Sequence, residues 1–176
     1  LDIMNSKIIA TGSYIPTQIK VNNDFLKNSF LDSKGNKIQS KNSEIINKFE
    51  SITGIKQRKY VNNSLTSSDI ATEASINAIN SSSIDKESID YIILAHNIGD
   101  VTHESNQIDA MPSLASRVKS KLGIENPNCI AYDILFGCPG WLEGVIQANT
   151  FIKAGIAKRC LVVGAETLSR VIDSND

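Results

Sequence analysis

The chain has 176 residues, 41% of them hydrophobic and 21% charged, enough apolar material for one globular domain or one half of a larger one. Its formal net charge is −1 with Lys and Arg scattered along the chain, which leaves no electrostatic ground for binding nucleic acid or an anionic membrane. No stretch approaches the ~20 apolar residues of a membrane span, and the N-terminus lacks a charged region followed by a long apolar one, so a reducing, cytoplasmic setting is expected.

Taken in chain order, Lys7-Ile-Ile-Ala-Thr11 reads as a first, buried strand closed by a turn at Gly12-Ser-Tyr-Ile-Pro16. The polar stretch from Val21 to Asn42 suggests a short helix and then a surface loop. Helical spacing returns at Ile45, Ile46, Phe49 and Ile52, stopped by Gly54 in the C-cap position, and Ile55 to Val61 follows as a strand. In the next helix Ser67 or Ser68 serves as cap, Asp69 and Glu73 favour its positive end, and Ile70, Ala74, Ile76 and Ile79 form an apolar face.

Tyr91-Ile-Ile-Leu-Ala95 is a continuous apolar strand, the pattern expected where helices cover both sheet faces. The loop from Asn97 to Ala110 is long for a connection, which favours a functional segment. Pro112 to Leu122 makes a helix ended by Gly123; Cys129 to Ile134 is a strand, Pro139 to Ala154 a helix stopped by Gly155, and Arg159 to Gly164 another buried strand. Strands alternating with helices indicate an α/β fold with a mostly parallel sheet.

Of the three cysteines, Cys129 and Cys160 lie within apolar strands and read as small buried hydrophobes. None has CxxC spacing or a nearby His pair, so neither a disulfide framework nor a metal site is expected. Cys138 differs. It stands between Gly137 and Gly140, with Pro139 directly after it, where a strand gives way to a helix and Pro occupies the first helical position. The amides and dipole at a helix start favour negative charge on a thiol, the glycines leave room for a substrate, and local N–H groups could hold an oxyanion. A reactive thiol is therefore set against the plain packing cysteine.

Several stretches in order carry a resemblance: Lys7 to Pro16, Thr53-Gly-Ile-Lys-Gln-Arg58, the helix Ile70 to Ile79, Tyr132-Asp133 with Gly137-Cys-Pro-Gly140, and Leu161-Val-Val-Gly-Ala-Glu-Thr-Leu-Ser-Arg170. Over nearly its whole length the chain resembles the N-terminal half of a β-ketoacyl-ACP synthase III, a condensing enzyme of the thiolase fold. The resemblance implies two similar βαβαβαββ halves, of which residues 1–176 would form the first, a mostly parallel mixed sheet covered by helices, with the C-terminal half absent from this chain. It implies that Cys138 accepts an acyl group from an acyl-CoA or acyl-carrier-protein thioester for decarboxylative Claisen condensation with a malonyl thioester, without a further cofactor. A homodimer, or association with the missing C-terminal half, follows from the same resemblance.

The family's catalytic His and Asn lie in the second half, and neither His96 nor His103 matches their positions. His96, at a strand end, remains a minor candidate for lining the site. Where relatives that use CoA primers often carry Trp and Arg ahead of Thr-Gly-Ile, this chain has Lys48 and Ile52, so a carrier-protein donor is as well supported as CoA. Met111 matches the position that reaches across the dimer to close the partner's acyl pocket; a hydrophobic staple at the next helix is the alternative. Trp141 is a candidate pocket residue, with core packing as its alternative. Glu143 and Glu166 each read as a partnered buried acid or a solvated end. Two other functions stay open: acyl transfer from Cys138 to an oxygen or nitrogen acceptor, and a non-catalytic subunit that needs a complementary chain.

Overall fold

Backbone hydrogen bonding organises the described residues of this computed structural model (6–105, 107–173 and 175) into five strands and four α-helices. In chain order these are β1 (Gln18–Val21), α1 (Asn42–Thr53), β2 (Gln57–Tyr60), α2 (Ser67–Ser82), β3 (Tyr91–His96), α3 (Leu114–Lys121), β4 (Ile130–Leu135), α4 (Gly140–Lys153) and β5 (Cys160–Gly164). They fall into two compact units. One comprises the described residues through Tyr14 together with Ser64–Glu166, the other Ile15–Asn63 with the described residues from Thr167 onward.

In the first unit β3 lies at the centre of a parallel sheet of order β4-β3-β5, with Tyr91 opposite both Ile130 and Cys160. Its continuous apolar run is explained by burial on both sides: Ile92, Ile93 and Leu94 are each 0% exposed. Alternation along a strand sends successive side chains to opposite faces. Ile92 and Leu94 join Leu114, Ala115 and Val118 of α3, Ala71 of α2 and Val163 in one cluster, while Ile93 and Ala95 face Gly144 and Gly140 of α4. Burying each large aliphatic side chain of β3 contributes roughly 1.5–3 kcal/mol. The sheet is thus a layer between helices, as the alternation of elements predicts.

Local chemistry sets the helix ends. The cap of α2 is Thr66, one residue before the predicted serines: its N–H and hydroxyl both donate to Asp69 Oδ2 at 2.8 Å. α3 begins at Leu114, two residues later than predicted, because Ser113 caps it through its Oγ, which accepts from Ser116 N at 3.2 Å.

The predicted first strand, Lys7 to Thr11, does not form; this stretch carries no strand pairing, and Ile8 is 76% exposed. Helices, not the sheet, hold it: Asn77 donates to Ser13 O at 2.9 Å, Ser81 to Thr11 O at 3.3 Å, and Ser6 to Asn149 Oδ1 at 2.6 Å. A crevice of about 610 Å³ separates the run from β5, lined by Ile8, Ile9, Ala78, Trp141, Ala148 and Leu161, among others. The run is thus neither the strand nor the buried segment expected from the sequence: a strand needs a partner, and β5 lies across the gap.

In the second unit β1 pairs with β2 antiparallel, Gln18 opposite Tyr60; β1 was not foreseen, its residues lying between the turn that ends at Pro16 and the polar stretch that begins at Val21. α1 ends where expected, with Gly54 in the left-handed region at φ 69°. Arg58 of β2 places its guanidinium 5.2 Å from the Phe25 ring centroid and 5.0 Å from that of Phe49, and donates to Asn22 Oδ1 at 2.9 Å. Stacked between two rings and hydrogen-bonded at its edge, it ties α1 to the ribbon.

Gly12 is packed so closely on α2 that a Cβ there would collide with the backbone of Ala74 and Ala78. Gly12→Ala is expected to lower stability by about 3 kcal/mol, read as a fall in the urea midpoint; an unchanged midpoint would show that the N-terminal run does not dock on α2.

Candidate active site

β4 ends at Leu135, and within a few residues the chain reverses into α4. Gly137 makes that reversal at φ +74°, a conformation costly for any residue with a Cβ. Cys138 follows, then Pro139, which is the N-cap of α4 and not its predicted first residue; the helix starts one position later, at Gly140. Gly140 N donates to Gly137 O and Glu143 N to Pro139 O, both at 3.0 Å, closing the turn on either side of the cysteine. Cys138 itself is exposed, which a packing cysteine would not be. Its thiol belongs to the residue directly ahead of the N-cap of α4.

Tight packing of α4 fixes where that sulfur stands. A Cβ on Gly144 would lie 2.8 Å from Val162 Cγ1 and 3.3 Å from Ile93 Cγ2, and one on Gly140 would lie 3.1 Å from Ala95 Cβ. The helix therefore rests on the sheet at nearly backbone distance.

The other two thiols are unsuited to nucleophilic work. Burial, with the nearby Asp90 carboxylate, pushes the Cys160 thiol up to about 11. Burial also raises Cys129, against the opposing charge of Lys119.

His96 ends β3 with its side chain 0% exposed, so it lies beneath the surface and does not line a cleft. Its Nε2 is 2.9 Å from Asp133 Oδ2, and its Nδ1 is buried with no hydrogen-bond partner among the described residues. Next to a carboxylate, Nε2 is the donor. Asp133 also accepts from Leu114 N at 2.7 Å and Ala115 N at 2.8 Å, the first amides of α3. Burial works against the ionised form, but the hydrogen bonds from His96, Ala115 and Leu114 prevail and hold the Asp133 carboxyl below its usual range. Asp133 thus joins the end of β3 to the start of α3 from the middle of β4.

The remaining sequence candidates are dispersed. Met111 precedes Pro112 and is 82% exposed, free of the core contact that a staple requires. Trp141, on the first turn of α4, is 49% exposed; its Cβ and ring lie 3.3 Å from where a Gly164 Cβ would stand, and it lines the crevice beside β5, not a pocket at Cys138. Glu143 accepts from Gln147 Nε2 at 3.1 Å and Glu166 from Asn97 N at 2.7 Å, so both are partnered acids. Lys48 and Ile52 are exposed on α1, and His103 lies at the surface 3.8 Å from Glu104. Sequence reading missed Asp100, buried and bonded to Ser68 N at 2.7 Å and Ser68 Oγ at 2.6 Å, and Arg117, which meets Asp100 and Asp109. An isolated Arg in a helix after a long loop was their only trace. Among the described residues no group of His, Cys, Asp and Glu could hold a metal ion, and no helix is long and apolar enough to cross a membrane.

Comparison with known proteins agrees with the resemblance. The family described as 3-oxoacyl-[acyl-carrier-protein] synthase III matches residues 132–176. A β-ketoacyl-[acyl-carrier-protein] synthase III of Vibrio parahaemolyticus is 36% identical over 173 residues, 98% of this chain and 48% of the relative. One from Neisseria meningitidis is 37% identical over 171 residues, 97% and 47% respectively. Among solved structures, the synthase III of Thermus thermophilus superposes with a TM-score of 0.73 at 32% identity, covering 97% of this chain and 46% of that one, and that of Aquifex aeolicus does so at the same TM-score and identity. The architecture is that of the thiolase fold, and the chain spans about half the length of the relatives it matches.

Iodoacetamide at pH 8 is expected to alkylate Cys138 and leave Cys160 nearly untouched, since a thiol at about 11 is roughly one part in a thousand ionised there; peptide mapping reads the result, and comparable labelling of both would remove the distinction between them. Asp133→Asn is expected to cost about 3 kcal/mol, because the amide group turns a donor toward the amides of α3 or toward His96. As the folded-state carboxyl is held low, its contribution is present above the ordinary carboxylate value of about 3.9 and is lost as pH falls through the folded value. Denaturant melts of wild type and variant should therefore converge toward low pH.

Proposed function

We propose that this chain, the counterpart of the N-terminal half of β-ketoacyl-[acyl-carrier-protein] synthase III, forms an acyl-enzyme on Cys138 as an acyltransferase of that type. One observation carries the reading: an exposed cysteine held by Gly137 and Pro139 at the start of a helix that is pressed against the sheet. Such a sulfur is reachable by a bulky thioester and sits where negative charge is favoured.

In the reaction the Cys138 thiolate attacks the carbonyl carbon of an acyl-CoA or acyl-carrier-protein thioester. The oxyanion that forms is stabilised by amides at the head of α4. As it collapses, the carbon–sulfur bond to the carrier breaks and the carrier leaves as a thiol after taking up a proton, with the acyl group on Cys138. Condensation follows when a malonyl thioester loses carbon dioxide and its carbanion attacks the bound acyl carbonyl, releasing Cys138. That second step needs donors for the enolate, which the family supplies from its other half; residues 1–176 serve as the N-terminal thiolase-like domain and work together with a C-terminal half. The crevice beside β5, lined by apolar residues of the N-terminal run, α2, α4 and β5, supports association with further polypeptide. Met111 contributes to a partner's acyl pocket and Trp141 to apolar substrate or partner packing. The setting is cytoplasmic, the assembly a homodimer, and no cofactor beyond the thioester substrates is invoked.

Intact-mass spectrometry after incubation with short and medium acyl-CoA and acyl-carrier thioesters tests this. A mass gain equal to the acyl group in wild type, absent in Cys138→Ala, is expected. A gain that persists in the variant would move the acylation site elsewhere and end this reading.

A further inference from the structure

One arginine grips both ends of the long loop that presents Met111. Arg117, on the second turn of α3, donates from Nε to Pro112 O at 3.0 Å, from Nη1 to Asp100 Oδ2 at 3.0 Å and to Asp109 Oδ2 at 3.0 Å, and from Nη2 to Asp109 Oδ1 at 2.6 Å. The pair with Asp109 is a two-pronged fork, a geometry that only a planar guanidinium supplies. Asp100 opens the loop and Asp109 closes it: their backbones pair, Asp100 N to Asp109 O at 3.0 Å and Asp109 N to Asp100 O at 2.9 Å. Asp100 is in turn rooted on α2 through Ser68, which also accepts from Lys121 at 2.8 Å.

Met111 stands inside this clamp. Two residues before it, Asp109 is held by its backbone pair with Asp100 and by the Arg117 fork, and the carbonyl of the next residue, Pro112, is bonded to Arg117. Backbone contacts are thus made on both sides of a residue whose side chain is 82% exposed, and Ile108 beside it is 61% exposed. An exposed apolar side chain on a tethered backbone has lost most of its freedom before it meets anything, which is the state that favours docking into an apolar pocket. Asp109 is itself largely exposed, so a pair with Arg117 alone would be weak; closure comes from three anchors on one side chain.

We infer that Arg117 is the positioning residue for Met111, clamping Asp100, Asp109 and the Pro112 carbonyl so that the Met111 side chain is presented at a fixed height and sets which acyl chain lengths are accepted. The inference rests on the acyl-enzyme reading for its consequence, and on the hydrogen bonds alone for the clamp.

Arg117→Lys keeps the charge and loses the fork, and Asp109→Asn keeps Arg117 and loses the ionised partner. Hydrogen exchange of residues 101–105 and 107–111 is expected to speed by about tenfold in both variants, the equivalent of one charge-assisted hydrogen bond. Acylation of Cys138 across a chain-length series of acyl-CoA, followed by intact mass, is expected to show a flattened preference between short and medium chains in Arg117→Lys, with the rate on the best wild-type donor changed less than the ratio. Unchanged exchange would overturn the clamp. Faster exchange with an unaltered chain-length ratio would overturn the positioning role and leave the acyl-enzyme standing. A wild-type chain that takes no acyl group from any donor would end the acyl-enzyme reading and this role with it, whatever the exchange rates.

Discussion

The closeness of α4 to the sheet is the constraint on which the position of Cys138 depends. Gly140 over Ala95 and Gly144 against Val162 and Ile93 leave no room for a side chain between helix and strands. At that distance the helix cannot slide or roll without opening a void or a clash, since protein interiors are packed to crystal-like density. The end of β4 is held just as firmly by its register with β3. Only a few residues join these two fixed bodies, so the path through Gly137, Cys138 and Pro139 is nearly determined. A helix start needs an N-cap and the reversal needs a positive φ; what remains between them is one exposed position, and the cysteine occupies it.

Polar side chains perform the matching task on the opposite face. Asp133 reaches from β4 to the first amides of α3 and holds His96 at the end of β3, so three elements meet on one carboxylate. Asp100 does the same for α2, α3 and the loop between β3 and α3. Both carboxylates are buried or nearly so, and a buried charge persists only when its lone pairs are filled. These two nodes anchor the loops at the sheet end from which Cys138 emerges. The apolar core supplies cohesion there; the carboxylates supply position.

Chemistry and stability pull apart at the edge beside β5. The Lys7 to Thr11 run is apolar enough to be core and yet carries exposed isoleucines; Thr11 and the flanking Ser6 and Ser13 are tied to Ser81, Asn149 and Asn77 on helices, not to a strand. An open strand edge facing an apolar wall is a place where proteins associate.

Much of this was legible from the residues in order. Period-two and continuous apolar runs marked β3, β4 and β5, because a strand buried on both faces admits almost no other composition. Gly54 announced the end of α1, and Gly-Cys-Pro-Gly announced the strand-to-helix junction that carries Cys138, since turn geometry and helix starts depend on neighbours within a few residues. What could not be read locally was pairing across the chain. Whether Lys7 to Thr11 becomes a strand depends on a partner far away in sequence, and β1 was missed for the same reason. Nor could the sequence reveal that His96 faces Asp133, or that Arg117 gathers Asp100, Asp109 and Pro112, because an ionisable side chain shows its partner only when folding brings distant segments within hydrogen-bond reach. The sequence by itself singled out Cys138 as the candidate nucleophile and determined the strand-to-helix junction on which it stands; the tertiary structure alone decided which charged groups hold that junction and its neighbouring loop in place, since those contacts are made through space and not along the chain.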